Sequence, residues 1–336
     1  MTLFNISIVG ATGAVGQEML RVLERRNFPV QKIRCFASPR SAGKTVLFRG
    51  QAIEVEPLHH DCFKDSDITF FSAGKSISLN YAPDAVSAGS LVIDNSSAFR
   101  MDPKVPLVIP EINPHALPSH SGIIASPNCT ATVMLLALAP LHRRFKIRRI
   151  VAATYQAASG AGHRAMVELE EETRAQLDKQ AFERTVMPHP YAFNLFAHNA
   201  PMQPSGYNDE ELKVIEESRK ILEEPNLRIA VTCVRVPVLR AHSEALNVEF
   251  EKPITPQEAK EVLQSAPGVI VLENFAENRF PMPIDASGKD EVYVGRIRQD
   301  LSNPNTLDLW AVGDQLLKGA ALNTIHIAEA LDLLRN

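Results

Sequence analysis

The first strand of the chain runs directly into a glycine-rich turn, and this junction limits the folds that the sequence can adopt. Residues 4–9 (FNISIV) are predicted to form a buried strand, residues 10–16 are GATGAVG, and a helix is predicted from about residue 14 to 26. A strand, a turn and a helix in this order place helix N–H groups where they bind the pyrophosphate of a dinucleotide. The glycine spacing alone also fits a plain tight turn. The residues predicted to contact the cofactor here are Gly10, Thr12, Gly13, Ala14, Val15 and Gly16.

The end of the second predicted strand, residues 32–38, indicates which dinucleotide fits. An NAD site calls for an acidic residue there, about 20 residues beyond the loop, to bind the ribose. Residues 37–44 are ASPRSAGK, which offer Ser38, Arg40 and Ser41 and no carboxylate. Hydroxyls and a guanidinium suit a 2′-phosphate, so the sequence favours NADP over NAD. A solvated surface arginine is the alternative interpretation of Arg40.

Strands and helices alternate through the first 128 residues. Further strands are predicted at residues 67–73, 90–96 and 122–126, which indicates an α/β, Rossmann-type, doubly wound parallel sheet. Beyond residue 141 the strands RIAVTCVRV, ALNVEF, VYVGRI and LDLWAV have less helix between them, which predicts a second, α+β domain. A last helix, residues 315–334, is expected to pack back on the first domain. The predicted domains are 1–128 completed by 314–336, and 129–313.

Composition excludes several classes of protein. The 336 residues are 45% hydrophobic and 22% charged, as in ordinary soluble domains, and the net charge of −4 provides no basic surface for nucleic acid. The apolar run at 133–141 is far shorter than the ~20 residues that cross a bilayer. Four scattered cysteines without a Cys-x-x-Cys pair, and an N-terminus without a basic region, suit a reduced, cytoplasmic protein. The ten histidines include no His-x-x-x-His, so no metal site is expected.

A cysteine in the stretch SPNCTATVML (126–135) is the candidate nucleophile. Asn128 is a good helix N-cap, and a helix is predicted from residue 130 to 138, so Cys129 lies at its first turn. The positive end of the helix dipole stabilises a thiolate there. The alternative is a small buried residue that fills a strand-to-helix corner.

A thiol beside a nicotinamide suggests aldehyde chemistry, which needs an acid and base near neutral pH. His242 follows a strand that carries Cys233 and Arg235 on one face by period-two alternation. A histidine in this position is also commonly structural. The neighbouring Arg240 is predicted to be solvated.

Seven motifs occur in an order that extends from residue 3 to about 330. They are GATGAVG, DNSSAFRMDPKVPLVIPEINP (94–114), SPNC, QAASGAG (156–162), YNDEELK (207–213), RVPVLRAHSE (235–244) and WAVGDQLLKGAALN (310–323). In these motifs the chain resembles the aspartate-semialdehyde dehydrogenase family. The resemblance implies NADPH-dependent reduction of aspartyl phosphate to aspartate semialdehyde, towards diaminopimelate, lysine, threonine and methionine. The reverse is phosphorylating oxidation with inorganic phosphate. The resemblance also implies that the second domain carries catalytic residues and forms the interface of a homodimer or homotetramer.

The same resemblance implies a role for individual residues. Cys129 would form the acyl-thioester, His242 would be the acid and base, and Gln156 would lie against the substrate. The Ser159–Gly160 backbone and Gln315 would lie near the nicotinamide half of NADP. Arg235 would bind the α-carboxylate of the substrate and Glu210 its α-ammonium. Arg100 and Lys213 would bind the phosphoryl group, and Asn128 is a further substrate-binding residue. From the residues alone, Glu210 and Lys213 fit an ordinary helix-surface pair and Arg100 fits a loop cap.

Two positions depart from the family pattern, and three other functions compete. Val133 stands where the family often has glutamine, and Ala241 where it often has glycine. N-acetyl-glutamyl-phosphate reductase also uses a cysteine and a histidine on a similar substrate. Glu210 argues against this function, because a carboxylate there favours a substrate with a free ammonium. Glyceraldehyde-3-phosphate dehydrogenase calls for an NAD-type acidic residue. An inactive NADP-binding scaffold is disfavoured by the combination of Cys129, His242 and Arg235.

Overall fold

The computed structural model describes residues 2–331, which form parts of two compact units. One unit comprises Met1–Asn128 together with Ala320–Asn336, and the other comprises Cys129–Gly319. The chain thus returns to the first unit at residue 320, later than the predicted 314. Residues 332–334 of the predicted last helix lie outside the described part.

The first unit is built on a seven-stranded sheet. Before residue 128 its elements are β1 Phe4–Val9, α1 Ala14–Arg25, β2 Val30–Ala37, β3 Thr45–Phe48, β4 Gln51–Pro57, β5 Ile68–Phe71, α2 Lys75–Ser87, β6 Leu91–Asp94, a 3₁₀ helix Pro114–Ser119 and β7 Ile123–Ala125. The strand order is β3-β4-β2-β1-β5-β6-β7, and all neighbours are parallel except β3 and β4. Strands β5 and β6 are buried along their whole length, as expected when helices cover both faces of a parallel sheet. The predicted Rossmann-type sheet is confirmed, with an edge hairpin that was not predicted.

The second unit carries a seven-stranded mixed sheet. Its elements are α3 Cys129–Phe145, β8 Ile147–Gln156, a 3₁₀ turn Ala158–Ala161, α4 His163–Leu177, β9 Phe196–Ala197, α5 Asp209–Leu222, β10 Arg228–Arg235, β11 His242–Phe250, α6 Pro256–Gln264, β12 Val269–Val271, α7 Pro283–Ala286, β13 Val292–Gln299, β14 Thr306–Gly313 and a π-helix Leu317–Ala321. The strand order is β12-β13-β14-β11-β8-β10-β9, with parallel pairs only at β8–β10 and β12–β13 among the described strands. The predicted α+β character is confirmed.

Helix α5 is fixed at its start by a capping box. The Asn208 side chain accepts the Glu211 N–H at 3.0 Å, and Glu211 Oε2 accepts the Asn208 N–H at 2.9 Å. The other oxygen of Glu211 accepts the N–H of Cys233 on β10 at 3.0 Å. The cap therefore sets the position of α5, which carries Glu210 and Lys213, against β10.

The chain returns to the first unit as helix α8, Leu322–Ala330. Asn323 Nδ2 donates to Val108 O and to Ser126 Oγ, both at 3.0 Å. At the other end, Arg26 forms two hydrogen bonds with Glu329, of 2.7 and 2.8 Å. These bonds join α8 to the first unit's own loops and to the end of α1. No helix within residues 2–331 is long and apolar enough to cross a membrane.

Candidate active site

Three of the predicted site residues lie side by side on neighbouring strands. Arg235 at the end of β10 pairs with Gln156 at the end of β8. Ser243 pairs with Tyr155 across the antiparallel β8–β11 ladder, so His242 lies opposite Gln156. All three side chains are buried. Since paired residues share a face of the sheet, the register brings a guanidinium, an amide and an imidazole together.

The thiol of Cys129 lies against His242. Helix α3 begins at Cys129, and Cys129 Sγ lies 3.6 Å from His242 Nε2. The other ring nitrogen, Nδ1, accepts the backbone N–H of Ala157 at 3.0 Å. Because a backbone amide can only donate, the proton of the neutral ring is on Nε2, facing the sulfur. Burial, and secondly the charge of Arg235, lower the pKa of His242 to about 3, which keeps the ring neutral.

Gln156 links the start of α3 to α5. Its Nε2 donates to Thr130 Oγ1 at 3.0 Å and to Glu210 Oε1 at 3.2 Å, and its Oε1 accepts from Thr154 Oγ1 at 3.3 Å. Glu210 Oε2 accepts from Lys213 Nζ at 3.4 Å. The Glu210–Lys213 pair was open to interpretation as a surface pair, but the Glu210 side chain is only 9% exposed. Its carboxylate therefore lies within the site network.

Arg235 retains an unused donor. Its Nη1 donates to Ala157 O at 3.3 Å, while its buried Nε has no hydrogen-bond partner among the described residues. The buried phenol of Tyr191 lies nearby, and burial raises the pKa of Tyr191 to about 12 against the opposing effect of Arg235. A Cβ at Gly160 would lie 3.0 Å from Arg235 Nη1 and 3.0 Å from His242 Cε1. Gly160 therefore lets the backbone cover both side chains.

Two residues predicted near the nicotinamide contact one another. Gln315 Nε2 donates to Ser159 Oγ, and Gln315 Oε1 accepts the N–H of Ala241 at 2.9 Å. The N–H of Ser159 donates to Leu239 O at 3.0 Å. Gln315 thus joins the loop after β8 to the residue that precedes His242.

The glycine-rich loop of the first unit has the geometry of a phosphate-binding turn. Gly10 adopts φ 91°, and Gly13 N–H donates to Gly10 O at 3.0 Å. A Cβ at Gly16 would lie 2.3 Å from Gly10 O, so only glycine fits there. No side chain caps α1 within the described residues, and its first turn contains no acidic residue. The positive end of the helix is therefore suited to a pyrophosphate.

The turn after β2 presents the residues predicted to select the dinucleotide. Ser38 and Arg40 are exposed and Ser41 is half-buried. Arg40 makes no hydrogen bond or ion pair within residues 2–331. The acidic residue paired with the end of β2 is Glu56, opposite Phe36, and its carboxylate forms bonds of 2.9 and 2.6 Å with Arg34. Its hydrogen bonds to Arg34 lower the pKa of Glu56. This carboxylate is therefore committed to an ion pair.

Arg100 is a buried residue of the first unit. Its Nε donates to Ser126 O and its Nη2 to Asn95 O, both at 2.9 Å. Ser126 is followed by Pro127 and Asn128, which is the last residue of this part of the first unit. Arg100 is thus bonded to the segment that ends at Asn128. Its bonds to two backbone carbonyls fit the loop-organising alternative as well as the phosphoryl assignment.

The prediction that Arg240 is solvated was wrong. Its Nε lies 2.6 Å from Oδ2 of the fully buried Asp314, and its own side chain is 26% exposed. Asp314 Oδ2 also accepts the N–H of Gly288 at 2.7 Å. Arg240 therefore neutralises a buried carboxylate, because a charge without a partner is costly in the interior.

Both departures from the family pattern have a structural consequence. Val133 is buried, and a Cβ on Gly313 would lie 2.7 Å from Val133 Cγ2, so the valine fills the space beside that glycine. Ala241 has φ 73°, a left-handed conformation that favours glycine. The chain therefore carries backbone strain immediately before His242.

Sequence reasoning missed several residues of the site. They are Thr130, the backbone of Ala157, Tyr191 and His198. Ala157 follows Gln156 in the stretch QAAS, and Thr130 follows Cys129 in the stretch NCT, so their position beside predicted residues could have indicated them. Tyr191 and His198 follow a Pro-containing stretch without a recognisable motif. No group of three or more His, Cys, Asp or Glu side chains within residues 2–331 is placed to hold a metal ion.

Comparisons with known proteins agree along the chain. The model of the semialdehyde dehydrogenase NAD binding domain matches residues 5–120, and that of the semialdehyde dehydrogenase dimerisation domain matches residues 138–318. An aspartate-semialdehyde dehydrogenase of Synechocystis is 52% identical, covering 97% of this chain and 96% of its own. That of Bacillus subtilis is 44% identical, covering 98% of both chains. The structure of aspartate semialdehyde dehydrogenase II of Vibrio cholerae complexed with ASA superposes with a TM-score of 0.96 at 40% identity, covering 100% of this chain and 99% of that one.

Proposed function

Because the chain belongs to the aspartate-semialdehyde dehydrogenase family, we propose that it reduces L-aspartyl 4-phosphate to L-aspartate 4-semialdehyde with NADPH. Its activity is that of an aspartate-semialdehyde dehydrogenase. The proposal includes the phosphorylating oxidation as the reverse reaction and a place in lysine, threonine and methionine biosynthesis. The observation that carries it is the 3.6 Å contact of Cys129 Sγ with His242 Nε2, beside the buried Arg235 and Glu210. A nucleophile next to partners for a carboxylate and an ammonium suits an amino-acid acyl substrate.

In the first step, the thiolate of Cys129 attacks the C4 carbonyl carbon of the acyl phosphate. A C–S bond forms, the C–O bond to the phosphoryl group breaks, and phosphate leaves with one proton. While the carbon is tetrahedral, its oxygen carries negative charge. The Nε2–H of His242 is a donor for this oxygen, and the positive end of the α3 dipole favours both the thiolate and the oxyanion.

The second step reduces the enzyme-bound thioester. Bound NADPH supplies the hydride, after which the C–S bond breaks and the semialdehyde leaves. The thiolate of Cys129 is regenerated, so no further reductant is needed. Ser159 and Gln315 hold the loop after β8 through their mutual hydrogen bond, and we assign this loop to the nicotinamide half. In the first unit, the glycine-rich loop fits the pyrophosphate, and Ser38, Arg40 and Ser41 fit the 2′-phosphate.

His242 cannot act as an acid in the state in which the free protein holds it, because its ring is neutral there. In the free protein its Nδ1 accepts the Ala157 N–H, and its pKa of about 3 keeps the ring neutral. To deliver a proton to phosphate the ring must first become imidazolium, which breaks that hydrogen bond. A phosphoryl dianion near Nε2 raises the pKa of the ring. The acid form of His242 is therefore produced when the substrate binds.

The remaining substrate contacts follow from the unused groups of the site. Arg235 has a buried donor without a partner, which suits the α-carboxylate. Glu210 is a buried carboxylate that suits the α-ammonium, with Gln156 holding it in place. Lys213, Arg100 and Asn128 complete the proposed set at the phosphoryl end.

We further propose that the protein forms a homodimer or homotetramer through the second unit and resides in the cytoplasm. Alternate residues Val151, Ala153 and Tyr155 of β8 are half-buried on the outer face of the sheet, where the Tyr155 and Trp310 rings lie 5.4 Å apart. An apolar face of this kind suits an interface between two copies. None of the four cysteines forms a disulfide within residues 2–331, which suits a reducing compartment. Light scattering of the purified protein tests the oligomeric state.

The function is tested by phosphate-dependent reduction of NADP with L-aspartate 4-semialdehyde. We expect NADPH formation that requires phosphate, is faster with NADP than with NAD, and is absent with N-acetyl-glutamate semialdehyde. With NADP present and phosphate withheld, rapid quenching should trap an acyl group on Cys129, detectable by mass spectrometry. Turnover without phosphate dependence, or a preference for the acetylated substrate, would contradict the proposal.

A further inference from the structure

A second histidine lies at the substrate end of the sheet. In the β9–β10 ladder Phe196 pairs with Arg235 and Ala197 with Val234, and the N–H of His198 donates to Cys233 O at 2.8 Å. His198 therefore continues the ladder opposite Cys233. Because residues opposite one another share a face, its side chain lies on the buried face that carries Arg235. Its carbonyl accepts from the Asn208 side chain at 3.3 Å, which joins it to the start of α5.

The hydrogen bonds of His198 leave one donor unused. Nδ1 accepts the N–H of Ala200 at 3.1 Å, so the proton of the neutral ring is on Nε2. Nε2–H has no hydrogen-bond partner within residues 2–331. Burial, and then the charge of Arg235, lower the pKa of His198 to about 4, with Glu210 opposing and Lys213 adding to the effect. At neutral pH, His198 is thus an uncharged donor among the groups proposed to bind substrate.

We propose that His198 is a further substrate-binding residue, whose Nε2–H donates to the α-carboxylate of the substrate alongside Arg235. This inference rests on the proposed function, because it takes the carboxylate to be at Arg235. Nε2–H cannot accept a hydrogen bond, so it does not bind the ammonium. Arg235 lies two ladder positions from Cys233 and is the next residue on the same face of β10, whereas Lys213 lies on α5, so the carboxylate is favoured over the phosphoryl group. A neutral donor also strengthens carboxylate binding without adding a cation beside Glu210, where it would repel the ammonium.

Two substitutions separate the donor from the fold. His198→Asn places an amide oxygen near the Nδ1 position, where it can accept the Ala200 N–H, but it has no donor at the Nε2 position. His198→Gln can place its amide N–H near the Nε2 position. We expect His198→Asn to lower kcat/KM for L-aspartate 4-semialdehyde roughly 10- to 100-fold, mainly through KM, since the lost hydrogen bond is to a charged group. We expect His198→Gln to recover most of this loss. KM for phosphate and for NADP should stay unchanged in both variants.

Each other outcome overturns the assignment. A rise in KM for phosphate would place the donor at the phosphoryl group, and equal losses in both variants with altered thermal unfolding would show a structural role. Unchanged kinetics would show that His198 does not touch the substrate. The wild-type enzyme is assayed in parallel, because the absence of phosphate-dependent activity there contradicts the proposed function instead. Binding of L-aspartate, measured by calorimetry, needs no turnover. It should weaken in His198→Asn relative to both wild type and His198→Gln, and unchanged binding would contradict the role of His198.

Discussion

His242 Nε2 lies 3.6 Å from Cys129 Sγ, while Nδ1 of the same ring accepts the N–H of Ala157 at 3.0 Å. The hydrogen bond at Nδ1 determines which ring nitrogen carries the proton, and therefore whether Nε2 is a donor or an acceptor towards the sulfur. With Nδ1 occupied by a backbone donor, the neutral ring presents a proton to the sulfur and does not take one from it. We propose that this donor and the positive start of α3 together stabilise the thiolate of Cys129.

The first prediction concerns the nucleophile. Cys129→Ala should abolish turnover, because no thioester can form, while NADPH binding and the unfolding temperature stay close to wild type. Cys62→Ala is the matched control. Cys62 is buried in the first unit, and burial raises the pKa of its thiol. That variant should keep its activity despite some loss of stability. Activity of Cys129→Ala within tenfold of wild type would remove Cys129 from the mechanism.

The second prediction concerns pH. The folded pKa values of His242 and His198, about 3 and about 4, lie below their usual value of 6.5. Below pH 6.5 these two histidines become protonated in the unfolded chain but stay neutral in the folded chain. The free energy of unfolding therefore falls as the pH falls. The loss is at most about 1.4 kcal/mol per pH unit for each histidine. For His198 it extends to about pH 4.

Urea unfolding of the free protein at intervals between pH 7 and 4 measures this effect. Carboxylates also contribute to acid unfolding, so the informative quantity is the difference in slope between wild type and His198→Gln. The variant should lose stability less steeply between pH 6.5 and 4. Identical slopes would mean that His198 titrates normally in the folded protein.

The site was predictable from the sequence where local rules apply. The glycine loop and Cys129 each follow from a short stretch with one backbone requirement, as the 2.3 Å clash at Gly16 shows. Alternation along β10 correctly placed Cys233 and Arg235 on one buried face. The row of Arg235, Gln156 and His242 depends instead on the register of three strands, which no spacing determines.

Other residues depend on partners far along the chain. Arg240 lies in an exposed turn by its local sequence, and only the fold brings it to Asp314. His198 lies beside Arg235 because a two-residue strand pairs with β10. Neither segment has a propensity strong enough to predict that pairing. The strain at Ala241 likewise lies in a backbone φ of 73° immediately before β11, which side-chain spacing does not reveal.

The third prediction concerns cofactor choice. Arg40→Ala should weaken NADPH binding by about 1.5–3 kcal/mol, the value of a charge-assisted hydrogen bond, and leave NADH binding nearly unchanged. Lys44→Ala removes an exposed cation from the same turn and should affect neither cofactor to this extent. Fluorescence titration of both cofactors makes the comparison. Equal losses for NADPH and NADH in Arg40→Ala would show that Arg40 does not bind the 2′-phosphate.

The last prediction separates two arginines that lie near His242 in sequence but differ in their contacts. Arg235 has a buried Nε without a partner in the described chain, whereas Arg240 is bonded to Asp314. Arg235→Lys keeps the charge and loses the planar fork that grips a carboxylate. It should lower kcat/KM for L-aspartate 4-semialdehyde roughly 10- to 150-fold. Because the aldehyde is then misplaced relative to Cys129, kcat should fall while KM rises.

Arg240→Lys should show the opposite pattern. The free energy of unfolding of Arg240→Lys should fall by about 1–3 kcal/mol, because the buried Asp314 loses its closest hydrogen-bonded partner. KM for the semialdehyde should stay near wild type. Steady-state kinetics at saturating phosphate, combined with thermal unfolding of both variants, measures the two effects separately. A large rise in KM for Arg240→Lys with little change in Arg235→Lys would move the carboxylate of the substrate to Arg240.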